Sequence, residues 1–162
     1  MDLRRLRAGE WITGASGVVL LVSLFQPWYD LAGIIELTAF QAFAVYDVLL
    51  VGLALAGIAL FVVTAHQQGP AVGIALDGLT ALFAMVMSVL LVIRVLNLPA
   101  DIDHETTDRM TFLWVGLAAT FGVLVGAFVS MRDERLSKPG QWTDSTGAPI
   151  DAPPEIETIS SP

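Results

Sequence analysis

The sequence contains no cysteine. Disulfides, thiolate nucleophiles, Cys-ligated zinc and dithiol redox chemistry are excluded together. Histidine is nearly as scarce: His66 and His104 flank different apolar segments, so they do not jointly ligate one haem inside a helix bundle. Basic side chains number 8 against 16 acidic ones, a net charge of −8, and no cluster of them suits nucleic acid. No phosphate loop, zinc-protease His pair or Ser-x-x-Lys nucleophile motif occurs. Serine and threonine are scattered without a credible buried base. An enzyme is therefore not expected, nor is a cofactor or a metal centre.

What the sequence has in quantity is apolar side chain, 55% of residues, with mean hydropathy +0.70. Four long apolar blocks cover about residues 11–28, 43–64, 72–98 and 110–131. Each has roughly the 17–25 residues of a membrane-spanning helix, and lipid offers the backbone no other way to satisfy its polar groups. Pro27, Pro70 and Pro99 fall at the block boundaries, where the lost helical donor is tolerated. The first block follows a basic start, "RRLR", but "FQPWYDLAG" is a poor signal-peptide cleavage site, and the block reads as a retained helix. The expected fold is all-α: a four-helix transmembrane bundle with antiparallel neighbours over residues 1–136. Residues 137–162 hold five of the eight prolines among Ser, Thr, Asp and Glu and read as a disordered tail.

Orientation follows from the basic residues. Arg4, Arg5 and Arg7 precede the first block, and Arg132, Arg135 and Lys138 follow the fourth. With four crossings both groups share one side, so both termini are expected in the cytoplasm. Trp28 and Tyr29 then fall at the outer interface, Trp11 at the inner one, and Trp114 just inside the outer end of the fourth helix, as an anchoring aromatic belt. Ile34, Ile35, Leu37 and Phe40 suit a short surface helix or a lead-in to the second span.

Charges inside the blocks are the candidate functional positions. Asp47 and Arg94 each lie roughly 6–8 Å below the outer ends of neighbouring antiparallel helices, at matched depth. They can form an intramembrane ion pair, or Arg94 snorkels to headgroups and Asp47 to outer water. Asp77 lies roughly 10 Å into the third helix from the cytoplasmic side. With Glu10, near the start of the first, it is a candidate proton or ion site; interfacial hydrogen bonding is the alternative. Ala118, Gly122, Gly126 and Ser130 form a small-residue stripe on the fourth helix, Gly9, Thr13 and Gly17 on the first, and Gly52 and Ala56 begin one on the second. Such stripes bring helix backbones close, within one chain or between two copies. "DIDHETTD" puts Asp101, Asp103, His104 and Glu105 together, yet lacks the glycine and terminal glutamate of a calcium loop. It reads as a solvated loop, with Thr107 or Asp108 capping the fourth helix.

"LRAGEWITGASGVVLLVSLFQPWYD", "AFAVYDVLL", "VIRVLNLP" and "GAFVSMRDERL" together resemble a group of uncharacterised small four-helix integral membrane proteins of high-GC Gram-positive bacteria. The resemblance covers about residues 3–136. It implies a bacterial plasma membrane and carries no activity or site residue. The expected role is a non-enzymatic membrane component whose partners are the lipid bilayer and a second copy or another membrane protein. A small proton- or ion-coupled transporter or channel using Asp77 is the alternative.

Overall fold

In the computed structural model, described residues are 6, 8–43, 45–66, 70–97 and 107–133, with no side chains described for 70–74 and 132–133. The chain is mostly helical. Helix α1 spans Ala8–Leu24, α2 is one turn at Ala39–Ala42, and α3, α4 and α5 span Tyr46–His66, Pro70–Leu96 and Thr111–Asp133. Pro70 opens α4, where its missing N–H costs nothing. Three helices are long and apolar enough to cross a membrane: Tyr46–His66, Ala75–Leu96 and Thr111–Met131. The fourth long helix, α1, is apolar but has only 17 residues.

The first block departs from the expected helix over 11–28. Its helix starts earlier and stops at Leu24, closed by a tight turn in which Phe25 N donates to Val22 O and Gln26 N to Ser23 O. From Pro27 the chain is a strand. Proline suits the first position of a strand and cannot continue the helical ladder. Strand β1 (Pro27–Leu31) pairs antiparallel with β2 (Ile35–Thr38) and β3 (Thr107–Arg109), giving the order β2-β1-β3. This small sheet corrects the all-α expectation. The hairpin between β1 and β2 replaces the expected surface helix at Ile34, Ile35 and Leu37. Its tip turns through Ala32 (φ 55) and Gly33 (φ 69), closed by Ile34 N to Leu31 O at 3.0 Å; two positive φ values make it the turn whose twist matches a hairpin. Thr107 and Asp108 do not cap α5 but lie in β3, with Leu31 and Asp30 as their cross-strand partners.

Helix packing follows the glycines. A Cβ on Gly9 would collide with Ser130 N and lie 2.7 Å from Gly126 O, and one on Gly126 would lie 2.6 Å from Thr13 N. The α1 and α5 backbones are thus in direct contact. On the other side of α1, Gly17 faces Ala54 O and Gly57 faces Thr13 O, at 2.7 and 3.0 Å from an added Cβ. Helix α4 completes the arrangement by packing on α3 and α5, opposite α1. Gly122 meets Ser16 of α1, but Ala118 is exposed. A line of residues four apart advances by about 40° per step around the helix, so the stripe has rotated off the seam by Ala118. Gly116 takes over, leaving room for the Trp28 ring. Gly52 sees only Phe83 at 3.7 Å, an ordinary contact, and Ala56 is half-buried.

Arg4, Arg5, Arg7, Pro99, the 101–106 stretch with His104, Arg135, Lys138 and the 137–162 tail lie outside the described residues.

Candidate functional site

A group of polar and aromatic side chains lies where the sheet meets the helices. Trp28 and Tyr29 are consecutive in β1, yet both are fully buried. A strand normally sends neighbours to opposite faces; here the β1–β2 register is irregular between Pro27 and Tyr29, and such a bulge re-aims side chains. The expected role of these two residues as interfacial anchors is therefore replaced by a core role. Trp28 Nε1 donates to Ser23 O at 2.7 Å, and both rings stand edge-on to Phe43, at centroid distances of 5.7 and 5.8 Å. Trp11 and Trp114 are exposed, the disposition an anchoring ring requires.

Arg94 lies in the last turn of α4, where a cation complements the helix dipole. Its Cζ sits 5.5 Å from the Phe43 ring centroid and 5.6 Å from that of Tyr46, within cation–π range. Asp47, next to Tyr46 in the first turn of α3, is buried. Asp47 Oδ1 and Arg94 Nε are both enclosed without a hydrogen-bond partner. Pairing of the two is thus not among the contacts the structure shows for either residue, and the contacts of Arg94 are aromatic. Sequence reasoning missed Phe43 and Tyr46 as its partners. The signal was an aromatic pair three residues apart, "FAVY", leading into the helix that carries Asp47.

Tyr29 adds a third unsatisfied group, since its hydroxyl is buried and has no partner. Arg109 stands directly opposite Tyr29 on β3, so the two share a face of the sheet. Burial raises the Tyr29 phenol above its ordinary value of 10.0, and the positive charges of Arg109 and Arg94 partly oppose that shift. The other face of the sheet carries Glu36, Asp30 and Asp108 in a cross-strand row. Among the described residues no group of three or more His, Cys, Asp or Glu is placed to hold a metal ion.

At the opposite end Glu10, on α1, and Asp77, on α4, are both buried. His66 does not turn away from its own helix: its Nδ1 lies 2.8 Å from Val62 O. Along the helices the hydroxyls divide into two kinds. Thr13, Ser23 and Thr120, on α1 and α5, donate to Gly9 O, Leu20 O and Gly116 O of their own helices. Thr80 Oγ1 and Ser88 Oγ, on the buried face of α4, have no partner. The α1–α5 seam is sealed, whereas α4 presents unsatisfied hydroxyls to the interior.

No protein-family model, curated protein or solved structure matches the chain.

Proposed function

We propose that the chain is a multi-pass protein of the plasma membrane, a four-helix transmembrane bundle with both termini in the cytoplasm, serving as a non-enzymatic structural or interaction component. One observation carries the membrane reading: the long helices are apolar on their outward faces as well as in their core. Glu10, Thr13, Asp47, Asp77, Thr80 and Ser88 are buried, while Val18, Val22, Leu55, Leu79, Leu82, Val89 and Val125 are each at least half exposed. In water that surface is an aggregation hazard; in lipid it is the required one. At 17 residues, α1 extends only about 26 Å, so it crosses at the short limit or with local thinning of the bilayer.

The interaction role is supported by the sheet. It lies at one end of the long helices, and β2 and β3 flank β1 with outer edges that carry no further strand among the described residues. Ile34 and Ile35 at the hairpin are 82% and 55% exposed. Open edges and an apolar tip are what an added strand from a partner uses. The small residues of α1 and α5 are consumed within the chain, which shifts the weight from helix stripes to the sheet as the surface for a partner. A photoreactive side chain at position 34 or 35 is expected to give adducts in native membranes. Recovery of monomer alone counts against the interaction role.

A small proton- or ion-coupled transporter or channel is the second reading, favoured by the unpartnered Thr80 and Ser88 hydroxyls on the α4 face that also carries Asp77. Buried polar groups of this kind take up water. Asp77→Asn is then expected to reduce flux in proteoliposomes, and unchanged flux removes this reading.

A further inference from the structure

The cluster beneath the sheet contains donors that have no acceptor. Arg94 only donates, and its enclosed Nε has nothing to donate to. The Tyr29 hydroxyl is buried beside it in the same condition. Arg109, cross-strand from Tyr29, adds a second guanidinium whose charge, like that of Arg94, is felt at the phenol. Phe43 and Tyr46 supply the wall on which the Arg94 guanidinium rests. Two guanidinium groups gathered about one aromatic cluster, with no carboxylate among the described residues bonded to Arg94, suit an anionic acceptor.

We propose that Arg94, which is half-buried, and Arg109, which is exposed, bind the phosphate of a phospholipid headgroup at the sheet-capped end of the helices, over the buried Tyr29 ring. The proposal rests on the membrane reading, which sets the depth. At 27 residues, α4 extends about 40 Å against a hydrocarbon thickness of about 30 Å. Its last turn, with Arg94, therefore emerges at headgroup level. A phosphodiester offers oxygens that suit the planar guanidinium fork. The competing acceptor is internal: the Asp47 carboxylate lies one residue beyond Tyr46, and its Oδ1 is equally unpartnered. The remaining carboxylates of the sheet, Asp30, Glu36 and Asp108, alternate with Tyr29, Leu37 and Arg109 along their strands and so occupy the other face.

The test uses the full chain in detergent and native mass spectrometry, with phosphatidylglycerol, a diacylglycerol of the same chains and inorganic phosphate as probes. Phosphatidylglycerol is expected to be retained and diacylglycerol not. Arg94→Gln and Arg109→Gln each lower retention about tenfold, the loss expected of one charge-assisted hydrogen bond, while Arg94→Lys keeps part of it. Inorganic phosphate that competes at micromolar level upholds the anion site but assigns it to a free anion. Equal retention of the two lipids, or by both glutamine variants, overturns the proposal. So does a double-mutant cycle in thermal unfolding in which Asp47→Asn removes the whole effect of Arg94→Gln, because the acceptor is then Asp47. Failure of the membrane reading is read separately, as failure of the wild-type chain to co-sediment with liposomes.

Discussion

At the residue scale, space and conformation decide which side chains matter. Gly126 and Gly78 both sit in long helices. An added methyl group at Gly126 meets the Thr13 and Gly9 backbone, whereas at Gly78 it meets nothing within 4 Å. Gly126→Ala is therefore expected to lower the unfolding midpoint in detergent by the equivalent of about 1–3 kcal/mol, the cost of overpacking. Gly78→Ala should leave it unchanged or raise it by the helix preference for alanine, about 1 kcal/mol. Tyr29 gives a second residue-level expectation. Its phenol titrates above the ordinary 10.0 because burial disfavours the phenolate. A raised native value means that the neutral form contributes stability below pH 10.0, which is lost as the pH rises through the native value. Melting curves across that range should show an alkaline loss that Tyr29→Phe diminishes, with phenolate absorbance appearing as the fold opens.

At the element scale, the three-stranded sheet carries a cost on its outer face. Asp30 stands opposite both Glu36 and Asp108, and like charges directly across a ladder repel. Asp30 is committed locally, accepting a hydrogen bond from Gly33 N at 3.1 Å, so the partners are the ones to change. Glu36→Lys or Asp108→Lys is expected to stabilise the fold by about 0.2–1 kcal/mol at low salt, shrinking at high salt as screening removes the repulsion. The hairpin was hidden in the sequence because its apolar residues, "LAGIIELTAF", fit either a surface helix or a pair of short strands. Only Gly33, which suits a left-handed turn, hinted at the second. The small-residue stripes on α1 and α5 were legible, since glycines four apart suit close backbones in an apolar helix, but which helix each stripe meets was not. Even there, straight-line extension of the stripe to Ala118 failed because the helical repeat is 3.6 and not 4.

At the scale of the whole molecule, helices that are apolar outside as well as inside point to lipid as the solvent, and the sheet marks one end of the helices. The absence of native cysteine makes sidedness directly measurable. A single cysteine placed at Gly33, which is exposed at the hairpin tip, should react with a membrane-impermeant maleimide in intact cells. One placed at His66, at the far end of α3 and also exposed, should react only after lysis. The reverse pattern inverts the proposed orientation.

The sequence by itself determined where the long apolar segments lie, because the length of an apolar run is a local property that the bilayer thickness reads directly. It also marked the small-residue stripes of the helices, since small side chains in a spanning segment favour close backbones, without naming the partner of any of them. The tertiary structure alone decided that Trp28 and Tyr29 turn inward, that β3 closes a sheet from a distant part of the chain, and that Arg94 rests on Phe43 and Tyr46. Strand pairing and side-chain aim depend on segments far apart in sequence, and matched depth along two helices does not fix the direction in which each side chain faces around its axis.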